Sequence, residues 1–292
     1  MTKREFVLIS DSCCDLSAQM VQDCGLVILP LYLEMGGATY RNFLDGREIS
    51  FEDFYSRIRA GELATTAAVN VGDFEAAMRE QLSQGRDVLC ICFSSALSAT
   101  YQSACIAAEE VRGEFPGQTV EVVDSLCASM GQGLLLYLCA QEQKAGRSLA
   151  EVRDFAMQKR DYIRHWFTVD DLNHLKRGGR ISATTAFFGT MLAIKPVLQV
   201  DAEGRLIPVS KCRGRKAALS ALVEHYAEEA SDPASEPVFL SHSDCLDDAQ
   251  WVADEITRRF GNRNITIHYI GPVIGNHTGT GTVALFYPGS KR

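Results

Sequence analysis

The chain has no run of 18 consecutive uncharged apolar residues anywhere in its 292 positions. A membrane-spanning helix needs about 20 such residues, so the sequence predicts no integral membrane segment. The first ten residues, MTKREFVLIS, pass from charged residues straight into a short strand-like run, which is not the pattern of a secretory signal peptide.

The sequence also lacks an excess of basic residues. Lys and Arg total 29 against 37 Asp and Glu, which gives a net charge of -8. Nucleic-acid binding is therefore disfavoured, because neutralising phosphates needs clustered positive charge. Basic residues concentrate only in LKRGGRIS (175–182) and SKCRGRK (210–216), which contain Arg180 and Arg213. Each segment can be a contact site for a phosphate-bearing partner or ordinary solvated charge.

Several catalytic and metal-binding motifs are missing. The ten cysteines form no Cys-x-x-Cys pair, and several lie in apolar runs, so we predict free thiols in a reducing cytoplasm. The six histidines have no His-x-x-x-His spacing, so no metal site is predicted. There is no Walker A loop and no Gly-x-Ser-x-Gly elbow. One enzymatic function is still kept as an alternative to a binding role: a serine-dependent hydrolase of acyl or phosphate esters that uses Ser94 or Ser95 with His277.

Short apolar runs alternate with helical patterns in the first half of the chain. The runs cover 6–10, 26–35, 87–93 and 120–125, which predicts a parallel sheet between helices in a three-layer α/β/α domain. Past about residue 160, longer strand patterns are separated by Gly-rich turns, including a hairpin pattern at 197–209, and we predict a mixed sheet with helices. The predicted α/β fold thus has two domains, 1–158 and 159–292.

Polar residues follow three of the predicted strands. They are Asp11-Ser12, Ser94-Ser95 and Asp124-Ser125, and ligands of a parallel sheet bind at the carboxyl ends of its strands. A helix predicted to start near Ser98 would offer free N–H groups to a carboxylate or phosphate. Helix capping by the serines, and structural roles for the two aspartates, are the alternatives.

Two further segments carry candidate ligand donors. Thr65 and Thr66 precede a predicted helix, where they can act as caps or as ligand donors. In GNHTGTG (275–281), three glycines surround His277, which predicts an exposed imidazole at a loop tip. A simple tight turn between the last two strands is the alternative.

Taken in order, these segments resemble the DegV family of bacterial fatty-acid-binding proteins. The matching pieces are DSCCDLS, TT at 65–66, SSALSATYQSA, VVDS, LKRGGRIS, IKPVL at 194–198, KCRGRK and IGPVIGNHTGTG. The resemblance implies two α/β domains that hold a long-chain fatty acid between them, with no other cofactor and no catalysis of its own. It also implies a partner fatty acid kinase that phosphorylates the bound carboxylate to an acyl phosphate.

The resemblance also implies where the site lies. The carboxylate would contact Thr65, Ser94 or Ser95, and His277, while Arg180 and Arg213 would face the kinase. The predicted supporting residues are Asp11, Ser12, Thr66, Ser125, Gly275, Thr278 and Gly279. The chain departs from the family pattern at Ala67, Ala68, Ala96, Ala99 and Thr280. The apolar segment 183–194 is a candidate tunnel wall. Two further hypotheses are a transient contact with a membrane surface and a regulatory protein whose lipid occupancy controls another partner.

Overall fold

The computed structural model describes residues 4–182 and 194–292. In the first half the elements are β1 (Phe6–Asp11), α1 (Ala18–Cys24), β2 (Leu26–Leu29), β3 (Tyr32–Met35), β4 (Ala38–Arg41), α2 (Phe51–Arg59), β5 (Ala64–Ala67), α3 (Val71–Ser83), β6 (Asp87–Cys92), α4 (Thr100–Glu114), β7 (Val120–Asp124), α5 (Met130–Lys144) and α6 (Leu149–Lys159). The second half contains β8 (Ile163–Thr168), α7 (Asn173–Arg177), β9 (Ile194–Val200), β10 (Leu206–Arg213), α8 (Arg215–Glu229), β11 (Val238–His242), α9 (Leu246–Phe260), β12 (Ile265–Tyr269), α10 (Pro272–Thr278) and β13 (Val283–Pro288).

The predicted parallel sheet is confirmed, with strand order β2-β1-β6-β7 and every pair parallel. Strands β1 and β6, at the centre of this sheet, are apolar on both faces because helices cover both. Val7 and Ile9 of β1 pack toward α3 and α4, whereas Leu8 packs toward α5 and α6. The α/β/α layering follows directly from this alternation along a buried strand.

The second half forms the predicted mixed sheet, in the order β10-β9-β8-β13-β11-β12. Only the β11–β12 pair is parallel among its described pairs. The hairpin predicted at 197–209 is confirmed as β9 and β10, joined by a turn in which the Gly204 N–H donates to the Asp201 carbonyl. Helices α8 and α9 cover one face of this sheet.

A small antiparallel sheet, β4-β3-β5, was not predicted. The apolar run 26–35 is interrupted after Leu29, so that β2 joins the parallel sheet and β3 joins the small one. Pro30 lies at the interruption and has no N–H to donate to a strand partner. Leu33 of β3 packs on Phe54 and Tyr55 of α2 in a separate core.

Helix α5 lies between the two large sheets. Leu134 and Leu135 of this helix share one core with Leu8 of the parallel sheet and with Phe239 and Phe286 of the mixed sheet. The predicted division of the chain at residue 158 stays a prediction, since this core joins the two halves. Within residues 4–182 and 194–292, no helix is long and apolar enough to cross a bilayer.

Candidate ligand-binding site

A cavity of about 220 Å³ lies between the two large sheets. This volume exceeds the roughly 150 Å³ of an apolar protein cavity that admits benzene. Its apolar lining comes from both halves of the chain: Cys13, Leu31, Ala67, Ala68, Phe93, Leu97, Ala99, Ala128, Phe167, Leu175, Val200, Leu206, Ile270, Val273, Ile274, Ala284 and Phe286. Such a lining favours an apolar guest.

A small polar cluster also lines the cavity. The Oγ1 atom of Thr66 lies 2.9 Å from Nε2 of His277, although the two residues are 211 positions apart. Arg180 lines the same cavity, and its Nε donates to the Leu97 carbonyl at 3.1 Å. A hydroxyl, an imidazole and a guanidinium are suitable donors for the oxygens of a carboxylate.

His277 is neutral at physiological pH in this environment. Burial lowers its pKa to about 4, with a smaller contribution from the positive charges of Arg180 and Arg177. Its Nδ1 is buried and has no hydrogen-bond partner among the described residues. A neutral imidazole still carries one N–H donor, and an anion bound beside it would favour protonation.

The position of His277 differs from the sequence prediction. We predicted an exposed imidazole at a loop tip, which is wrong, because residues 272–278 form α10 and His277 is partly buried in its last turn. Pro272 occupies the first turn of this helix, where its missing N–H costs nothing, and Gly279 ends it. The glycines around His277 therefore surround and end a short helix.

Thr66, rather than Thr65, reaches the cavity. In the register of the small sheet, Thr66 pairs with Leu33 and Thr65 pairs with Glu34. Successive side chains of a strand point to opposite faces, so Thr65 is exposed and its hydroxyl donates to Glu34 Oε2 at 3.3 Å. Thr66 and not Thr65 therefore lines the cavity, and the predicted carboxylate contact itself stays a prediction.

The structure places Ser94 and Ser95 away from the cavity, and their predicted contact with a carboxylate stays a prediction. Ser94 is fully buried and donates to the Gly204 carbonyl at 2.9 Å, so it attaches the β9–β10 turn to the end of β6. Ser95 is exposed, and its N–H donates to Asp124 Oδ1. Neither serine lines the cavity, whereas Ser98, just before α4, does.

The predicted helix start near Ser98 is confirmed to within two residues, whereas capping by a serine is not seen at the N-cap position of α4. This helix begins at Thr100, and its N-cap residue is Ala99, which makes no side-chain capping bond. Ser98 instead accepts the Thr100 N–H at 3.2 Å and lies 2.9 Å from the Thr100 hydroxyl.

Three predicted supporting residues hold loops together instead of lining the cavity. Asp11 is fully buried, and its carboxylate accepts the N–H groups of Cys13 and Phe93. Ser12 accepts the N–H of Leu31 at 3.0 Å, and Ser125 accepts the N–H of Cys127 at 3.1 Å. Burial raises the pKa of Asp11 to about 6, although these N–H donors oppose the shift.

The three predicted supporting residues around His277 differ in position. Thr278 lines the cavity, and its hydroxyl donates to the Ile274 carbonyl. Gly275 and Gly279 do not line it. A Cβ at Gly275 would lie 2.6 Å from the Tyr55 hydroxyl oxygen, so this glycine allows α10 to pack closely on α2.

The two predicted partner-facing arginines also lie in different places. Arg180 is half-buried in the cavity wall, where desolvation lowers its pKa. Arg213 is exposed at the end of β10, which is an edge strand of the mixed sheet. Only Arg213 therefore has the exposure expected of a residue on an outer contact surface.

Sequence reasoning missed a polar network between the two halves. Asp15 accepts the Ser129 hydroxyl at 2.6 Å and the Gly271 N–H at 3.0 Å. Ser129 lies 2.9 Å from the Ser241 hydroxyl of the mixed sheet, and it also lines the cavity. Burial raises the pKa of Asp15 to about 7. No motif marked these residues, because four separate segments supply them.

The described residues contain no group of His, Cys, Asp and Glu that could hold a metal ion. The hydrolase alternative also lacks support in residues 4–182 and 194–292, where the hydroxyl beside His277 belongs to Thr66 and Nδ1 of His277 has no carboxylate partner. The candidate tunnel wall at 183–194 lies outside the described residues, except for Ile194.

The fold and the site define a class of protein: two α/β halves with an apolar cavity between them and a few hydrogen-bond donors in its wall. A family model described as "Uncharacterised protein, DegV family" matches residues 5–289. The chain belongs to the DegV family, as the resemblance predicted. A DegV domain-containing protein of Clostridium perfringens is 39% identical over 289 residues, which cover 99% of each chain.

Solved structures of DegV proteins superpose on nearly the whole chain. A DegV family protein from Thermus thermophilus, described by its fatty acid binding, superposes with a TM-score of 0.88 at 31% identity and covers 98% of this chain and 100% of that one. DegV of Bacillus subtilis, described as a fatty acid binding protein, has a TM-score of 0.85 at 28% identity, with the same coverage.

Proposed function

We propose that this protein binds a long-chain fatty acid in the cavity between its sheets and presents the carboxylate to a partner fatty acid kinase in the cytoplasm. The observation that carries the proposal is the apolar cavity whose wall also holds Thr66, Arg180 and His277. The fatty acids described for the Thermus and Bacillus relatives give the ligand class.

The tail supplies the affinity in this proposal. Burying about 15 methylenes at about 0.8 kcal/mol each contributes roughly 12 kcal/mol before the costs of ordering and association. The head group supplies the orientation. Thr66 and His277 hold one carboxylate oxygen. The other oxygen stays open to the phosphoryl group that the kinase transfers.

The chemistry needs no general base from this chain. A fatty acid carboxylate is already ionised at pH 7, since an unperturbed carboxyl has a pKa of about 4. Phosphoryl transfer depends on alignment and charge stabilisation. In this proposal Arg180, which lines the cavity, stabilises charge on the carboxylate and the incoming phosphoryl group. The protein is therefore proposed to be a substrate-presenting subunit without its own catalysis.

Lipid extraction tests the binding step. Protein purified from a bacterial host should contain a long-chain fatty acid in near-stoichiometric amount, measured by mass spectrometry of the extract against quantified protein. Protein that is empty, or that cannot be loaded with palmitate, would contradict the proposal.

Two arginine substitutions test presentation. We expect Arg180→Ala to keep the fatty acid and lose acyl phosphate formation with a fatty acid kinase, because the tail dominates binding.

Arg213→Ala should weaken the kinase interaction. Arg263→Ala is a matched control, since exposed Arg263 precedes β12 at the opposite edge of the same sheet. Equal acyl phosphate formation by all three variants and the parent would remove these arginines from the proposal.

A further inference from the structure

Gly178 ends α7 directly against the imidazole of His277. A Cβ built on Gly178 would lie 2.1 Å from His277 Nδ1, 3.0 Å from Cε1 and 3.2 Å from Cγ. The backbone itself does not call for glycine here, because Gly178 has φ -73° and ψ -8°, which any residue adopts. The close approach of the ring is therefore what requires a residue without a side chain.

The backbone of Gly178 is fixed by its own hydrogen bonds. Its N–H donates to the His174 carbonyl at 3.0 Å, and its carbonyl accepts from the Arg180 guanidinium at 2.5 Å. Arg180 is attached in turn to the Leu97 carbonyl. A side chain added at Gly178 would therefore displace the imidazole more readily than the backbone.

The other neighbour of the ring is Thr66, whose hydroxyl lies 2.9 Å from His277 Nε2. An ordinary contact with a Cβ begins near 3.4 Å, whereas a Cβ at Gly178 would lie 2.1 Å from His277 Nδ1. The ring would therefore have to move by about 1.3 Å. A hydrogen bond is lost when its donor and acceptor atoms separate beyond about 3.5 Å, and the two atoms repel each other when they are pushed closer than the normal distance. A movement of this size therefore disturbs the contact between Thr66 and His277.

We propose that Gly178 is a positioning residue that sets the imidazole of His277 against Thr66 and thereby fixes the head-group end of the cavity. This inference rests on the proposed function and assigns a role within the same site. Gly178 touches no ligand in this view and acts only through His277.

The test compares Gly178→Ala with Gly179→Ala, both loaded with palmitate that carries ¹³C in its carboxyl group. Gly179 has φ +70° and nothing within 4 Å of its Cβ, so its substitution strains the backbone without touching His277. We expect Gly178→Ala to shift the carboxyl ¹³C and the His277 ¹⁵N resonances, and Gly179→Ala to leave both in place. Palmitate dissociation should stay within about twofold in both variants, because the tail supplies most of the affinity.

A double variant separates positioning from general damage. In a His277→Ala background the added methyl group has no ring to displace, so Gly178→Ala should no longer change the carboxyl resonance. Unchanged resonances in Gly178→Ala, or an equal change in the His277→Ala background, would overturn the inference. The ¹⁵N measurement on protein without lipid tests the ring position even if no fatty acid binds, so failure of the proposed function is distinguished.

Discussion

Shortening the cavity should change which fatty acids bind, and Ala284→Leu is the most direct way to do this. Ala284 of β13 lines the cavity and pairs with Phe167 of β8, which lines it too. The next residue, Leu285, packs on the opposite face of the sheet, so a larger side chain at 284 extends into the cavity.

The magnitude follows from the carbon atoms displaced. Leucine adds three carbons to alanine and should exclude about three methylenes of a long tail, at about 0.8 kcal/mol each. The expected loss is about 2.4 kcal/mol, or roughly 60-fold in the dissociation constant of a chain that fills the cavity. A chain about three carbons shorter should bind the variant and the parent almost equally.

Calorimetric titration of delipidated protein with a series of saturated fatty acids measures this shift. Ala217→Leu is the matched control, because Ala217 is exposed on α8, in the same half of the chain and outside the cavity. Circular dichroism checks that the added volume leaves the fold intact, since overpacking costs 1–3 kcal/mol. An unchanged chain-length profile in a folded Ala284→Leu variant would refute the placement of the tail.

Three further predictions concern the head group and the contacts between the halves. His277→Ala should raise the pKa of the bound carboxyl by removing a hydrogen-bond donor while the lipid is retained, and an unchanged ¹³C titration would contradict this. Asp15→Asn should flatten the pH dependence of the unfolding free energy. The pKa of Asp15 in the folded protein, about 7, lies above its unfolded value, so the stability that this carboxyl contributes is complete below about pH 4 and is lost as pH rises through 7. The loss is about 4 kcal/mol at most. Denaturant titrations from pH 4.5 to 8.5 measure the unfolding free energy at each pH. The same change with pH in the variant and the parent would disprove the prediction. Ser94→Ala should cost about 1–3 kcal/mol by leaving the Gly204 carbonyl unpaired, and hydrogen exchange should increase at 201–204 without a change in the carboxyl resonance. A shifted carboxyl resonance would return Ser94 to the head-group site.

The strand patterns and the family were predictable from the sequence because their signals are local. A buried parallel strand needs a continuous apolar run, and β1 and β6 both have one, whereas β7 has Glu121 within its run. The hairpin of β9 and β10 was marked by alternation around Glu203-Gly204. The small sheet escaped prediction because its strands are only four residues long and one of them continues an apolar run.

The composition of the candidate site was also present in the sequence, as adjacent threonines, a serine-rich turn and a histidine among glycines. Which of these side chains reaches the cavity was decided by tertiary structure. Pairing with β3 turns Thr66 inward and Thr65 outward, and the β9–β10 turn covers Ser94. The reason is physical: the direction of a side chain depends on the partner of its strand, and that partner comes from a distant part of the chain.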